Sequence, residues 1–157
     1  TPLTVEEIII AEIVWGATKA TAAAAVMTLV LGLLGFVDFP LGLLIVPLAF
    51  LGGLAFGAVG MFFTGITSSI DMFNLPIFLF ITPMFLFSGT FFPVSGLPEW
   101  AQTAALLFPL YHLVSLTRAC CLGLTETSPI LSLGYLTGFA VCFLALALTA
   151  MRRRLIR

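Results

Sequence analysis

The sequence predicts an all-α integral membrane protein, a polytopic helical bundle with four spans plus two short re-entrant or interfacial outer helices. Three observations carry this prediction. The 157 residues are 61% hydrophobic, with a mean hydropathy of +1.24. Only 8% are charged, against about a quarter in a soluble domain, so there is too little polar surface to wrap a core in water. The basic residues are Lys19, Arg118, Arg152, Arg153, Arg154 and Arg157, which leaves the long middle of the chain without a cation.

A spanning helix needs roughly 20 apolar residues. The first predicted span runs from about Val14 to Phe36, the second from Leu41 to Phe63, the third from Leu75 to Phe92 and the fourth from Ile130 to Met151. Acids beside turn formers separate them, at Asp38-Phe39-Pro40, Ser68-Ser69-Ile70-Asp71 and Leu97-Pro98-Glu99. Pro83 removes a backbone hydrogen bond inside the third span and predicts a kink there. No segment alternates as a membrane barrel strand does.

The basic tail, residues 152–157, follows the last span and places that end in the cytoplasm. Four spans then bring the amino end to the same side. Lys19, near the inner end of the first span, is expected to snorkel to the headgroups.

Ahead of the first span, residues 1–12 form a cytoplasmic segment. Thr4-Val5-Glu6-Glu7 fits a capping box, with Thr4 as N-cap and Glu7 three residues on. Glu6 and Glu7 also suit the positive end of a helix dipole. Ile8, Ile9, Ile10 and Ile13 interleaved with Glu12 predict an interfacial elbow running into the span. The chain begins at Thr1 rather than Met, which predicts a carboxyl-terminal part of a longer protein or a processed chain.

Residues 93–129 lie outside and form more than a loop. From Leu97 to Phe108 the apolar residues recur at helical spacing, with Glu99, Gln102 and Thr103 on the other face. Pro109 breaks the chain, and a second helical piece runs from Leu110 to Leu122, ending at Gly123. Tyr111, Ser115 and Arg118 share one face of it, with His112 at the edge. This face either closes the outer end of a pathway or is structural. Ser115 is within reach of His112, but no carboxylate in the helix orients the ring, which disfavours hydrolytic chemistry. Ser128-Pro129 supplies an N-cap and an N1 proline for the last span.

Gly16, Ala20 and Ala24 are spaced by four, as are Gly53 and Gly57, and such residues let helices approach closely in lipid. Packing within the chain and a dimer seam both fit. Cys120, Cys121 and Cys142 show no metal or redox spacing and read as small apolar residues. No site residue is assigned to catalysis, metal or cofactor. No chain of ionisable groups crosses the spans, which weighs against the alternative of an ATPase-independent channel or secondary carrier. No Walker loop is present, so any ATP would bind to another polypeptide.

Thr1 to Ile8 leading into Glu12 to Ala20 resembles the cytoplasmic loop and third span of type 2 ABC-transporter permeases. Ile81 to Val94 resembles their fifth span and its outer exit, and Leu97-Pro98, Pro109-Leu110-Tyr111-His112, Arg118 and Leu122-Gly123 resemble their outer helices. The Ala-Thr-Lys-Ala run and the terminal Arg-Arg-Arg-Leu are similar to the branch containing nodulation protein J. The resemblance implies a permease subunit of a six-span type, without enzymatic activity of its own, in a bacterial inner membrane. It implies two permease copies, each docked through Thr4, Val5, Glu6 and Glu7 on a cytoplasmic ABC ATPase that holds ATP and magnesium. The cargo it implies is an amphiphile, such as a lipo-oligosaccharide, polysaccharide or drug.

Overall fold

The computed structural model describes residues 4–37, 39–67, 72, 74–123 and 127–155. The turn residues Asp38 and Ser68-Ser69-Ile70-Asp71, the segment Thr1-Pro2-Leu3 and Arg157 lie outside the described residues.

Every described element is helical. Helix α1 is Val5–Leu33. Helix α2 is Ile45–Ile66, entered through a 3-10 turn at Leu41–Leu44. Helix α3 is Asn74–Phe87, α4 is Glu99–Ala105, α5 is Pro109–Leu122 and α6 is Pro129–Leu155. Three of them, α1, α2 with its leading turn and α6, are long and apolar enough to cross a membrane.

The core is a sheet of three helices with α2 in the middle. Ile9, Ile13 and Ala58 are buried together, backed by Leu54, Met61, Phe143 and Leu148. Phe139 and Phe143 on α6 stack with ring centroids 4.4 Å apart, and Phe143 meets Phe62 of α2 edge-on at 5.7 Å. The outer surface is apolar, with Leu79 81% and Ile130 84% exposed. Such a surface fits hydrocarbon, not water.

Small residues set the approach of α1 to α2. A Cβ on Gly53 would lie 2.6 Å from the Ala17 Cα and 3.3 Å from the Ala20 Cβ; one on Gly57 would lie 3.3 Å from Ile13 Cγ2. Gly16 is different, because a Cβ there meets nothing within 4 Å. Ala17, fully buried, is the true partner of Gly53. At one end of α2, a Cβ on Gly65 would lie 2.8 Å from the Ala150 Cβ of α6.

Three departures from the sequence expectations have physical causes. The capped segment and the first span form one continuous helix without an elbow, because no Pro or Gly interrupts Val5 to Trp15. The third span is a helix of 14 residues, about 21 Å long, short of the roughly 30 Å of a bilayer core. Its proline produces a π-turn at Ile77–Ile81, where Thr82 Oγ1 donates to the Ile77 carbonyl at 3.1 Å. The Thr82 backbone N–H donates to the same Ile77 carbonyl, the five-residue spacing of a π-turn set directly before Pro83, which has no N–H to give.

α1 and α2 are antiparallel, whereas α2 and α6 run the same way. The chain must therefore travel the height of the bundle between Ile66 and Pro129. Helix α3 climbs along α2, with Phe80 5.9 Å from Phe63. Helices α4 and α5, bent by 88°, complete the outer part. Leu113 of α5 packs on Gly52, near the middle of α2, so this hairpin dips into the bundle and returns.

Candidate functional site

Two clusters stand at opposite ends of the bundle. At the arginine end, Thr4 caps α1. The Thr4 backbone N–H donates to Glu7 Oε2 at 2.7 Å and its hydroxyl to the same oxygen at 2.8 Å, while the Glu7 N–H reaches back to Thr4 Oγ1 at 3.4 Å. These bonds, the backbone one foremost, hold the Glu7 carboxyl below the ordinary carboxylate range. Val5 packs beneath, against the Ile9–Ile13 core. Glu6 pairs with Arg152 of α6, and Arg154 donates to the Thr64 carbonyl at the end of α2. A cation there meets the free carbonyls and negative dipole end of α2. The two arginines thus tie the start of α1, the end of α2 and the end of α6 into one face. Sequence reasoning used them only for orientation and missed their contacts.

At the far end, the hairpin is clasped to α6 by a polar network. His112 is 2% exposed. Its Nε2 faces the Leu106 carbonyl at 2.9 Å. A carbonyl only accepts, so Nε2 is the donor in that bond. Nδ1 is hydrogen-bonded to the Ser132 hydroxyl at 3.1 Å, Ser132 to the Thr127 hydroxyl at 3.0 Å, and Thr127 to the Ser115 hydroxyl at 3.0 Å. The ring of Tyr135 lies 4.3 Å from that of His112, and its hydroxyl donates to the Leu107 carbonyl at 2.5 Å. Tyr111 is buried edge-on to His112 at 5.5 Å. Arg118 donates to the carbonyl of Gly89, a glycine held at a φ of 79°, and so fixes the exit of α3.

Of the residues expected on one polar face, Tyr111, His112 and Ser115 turn inward, and Arg118 reaches the α3 exit. The histidine's serine partner is Ser132, not Ser115. Ser132 is 0% exposed and the ring's other nitrogen meets a carbonyl rather than a carboxylate, so the pair lacks both access and an orienting acid. Ser132 and Thr127 were missed, although hydroxyls opening an apolar span are a readable sign of a buried polar contact. Beside the network, a cleft of about 700 Å³ is lined by Ser95, Glu99, Gln102, Thr103 and Tyr111 among others. No group of three or more His, Cys, Asp or Glu that could hold a metal occurs among the described residues.

Long apolar helices, a hydrocarbon-facing surface and a hairpin dipping into the bundle define a multi-pass membrane protein of the helical-bundle class. The model of the ABC-2 type transporter family matches residues 1–122, and the chain belongs to that family. It is similar to nodulation protein J of Sinorhizobium fredii, at 36% identity over 99% of this chain and 60% of the relative. The nodulation protein J of Rhizobium leguminosarum bv. trifolii is 37% identical over 100% of this chain and 60% of its own length. The chain thus spans about three fifths of these curated relatives. No solved structure matches.

Proposed function

We propose that the chain is membrane-spanning permease machinery of an ATP-driven exporter, acting with a cytoplasmic ATPase and a second permease copy. The observation that carries this is the family match over residues 1–122, which includes both the capped start of α1 and the outer hairpin. The arginine end lies in the cytoplasm of a bacterial inner membrane, where Thr4 to Glu7 receive the push of the ATPase. ATP and magnesium belong to that partner. The cargo is an amphiphile of the lipo-oligosaccharide, polysaccharide or drug kind, which suits walls of this apolarity.

The cluster geometry shapes the test. Glu6 and Glu7 both have partners within the chain, so replacing them with lysine alters packing as well as docking. A charge exchange separates the two. Glu6→Arg with Arg152→Glu keeps the ion pair and inverts the charge offered to the ATPase. ATP hydrolysis by the partner, measured in the reconstituted complex, is expected to lose its coupling to transport in this exchange variant. Full coupling would remove Glu6 from the transmission element.

A carrier without an ATPase would need ionisable groups deep in the bundle. The ionisable residues along α1 that bear on this alternative are Glu12 and Lys19. Membership of the ABC-2 family nevertheless favours the ATP-driven reading.

A further inference from the structure

Lys19 sits near half the height of the bundle on the uncovered side of α1. Its neighbours Ala17 and Ala20 pack on Gly53, which lies about 16 Å along α2 from Thr64. Thr64 marks the arginine edge, since Arg154 binds its carbonyl. Residues Leu41–Ile66 together reach about 39 Å. Ile13 packs on Gly57, which sets neighbouring Glu12 about 9 Å inside the same edge. Measured from that edge, Lys19 lies deeper along the bundle than its four-carbon stem reaches.

Glu12, Trp15 and Lys19 are spaced by three and four, so they form one stripe. All three are exposed, opposite buried Ile9, Ile13 and Ala17. Lys19 Nζ lies 5.7 Å from the Trp15 ring centroid, in cation–π contact. A carboxylate and an ammonium at such depth are expensive against hydrocarbon and normally face a bundle interior or a water-filled cavity.

We propose that the Glu12–Trp15–Lys19 stripe faces the aqueous conduit of the assembled transporter, and that Lys19 binds oxygen atoms of the cargo's polar head there. This rests on the transport reading above. An ammonium offers three donors and no acceptor, while Glu12 supplies acceptors two turns away. The indole between them gives a flat apolar wall. The trio fits an amphiphile with an oxygen-rich head.

The test is labelling by a charged, membrane-impermeant thiosulfonate of the full transporter in native membranes. Lys19→Cys is placed in a background with Cys120, Cys121 and Cys142 changed to alanine. The comparator keeps Cys142 alone, an exposed residue about 12 Å along α6 from Ala150. Lys19→Cys is expected to label at least about tenfold faster, since water relieves the rise in thiol pKa that lipid imposes, and each unit is tenfold in thiolate. Ala23→Cys, one turn further along and nearly isosteric, should label likewise and guards against misfolding of the lysine variant. Labelling of both no faster than Cys142 overturns the proposal, whether lipid or a protein helix covers the stripe. ATPase association, measured in the same membranes, separates this failure from failure of the transport reading: the stripe falls alone where association persists.

Discussion

Single residues at both ends of the bundle hold polar groups that lipid cannot satisfy. His112→Ala would leave the Leu106 carbonyl and the Ser132 hydroxyl without their partner inside the hairpin clasp. A cost of about 1–3 kcal/mol is expected, read as a lower unfolding temperature in detergent, with the hairpin becoming protease-sensitive. Thr4→Ala should cost about 1 kcal/mol by removing the N-cap, measured the same way. Because the Glu7 carboxyl sits below its ordinary range when folded, the cap's contribution is complete above that range and is lost as pH falls through the lowered value. The cap was legible in sequence because it is local: its donors and acceptors are three residues apart. The clasp was not, because His112 and Ser132 are separated by 20 residues and only the fold brings them together.

Helix packing belongs to the next scale, and glycine variants separate its parts. Gly53→Val pushes a branched side chain into the Ala17 backbone and should destabilise by about 1–3 kcal/mol or more. Gly16→Ala meets open space and should be neutral to slightly stabilising, since alanine is the better helix former. Thermal unfolding of the two variants side by side checks this; equal losses would contradict the α1–α2 seam. The spacing of small residues marked both helices correctly but could not say which residues touch, since Gly16 and Ala17 differ only by which side of α1 they occupy. Helices α1, α2 and α6 were legible from length and apolarity alone. The third span was overestimated because Phe91 and Phe92 are apolar yet follow the turn at Gly89, where the chain leaves the helix.

At the scale of the whole molecule, the arginine contacts make a geometric statement. Glu6–Arg152 and Arg154–Thr64 bring the start of α1 and the ends of α2 and α6 to one face, and the re-entrant hairpin lies toward the other. The proposed function requires the arginine face to meet a cytoplasmic ATPase. The most direct measurement is therefore sidedness, read with an impermeant thiol reagent on cysteine-free protein carrying either Arg153→Cys or Ser95→Cys. Arg153→Cys should be protected in intact cells and labelled in inverted vesicles, and Ser95→Cys should show the reverse. Labelling of Arg153→Cys from outside intact cells would place the ATPase-docking face on the wrong side of the membrane and contradict the proposed function.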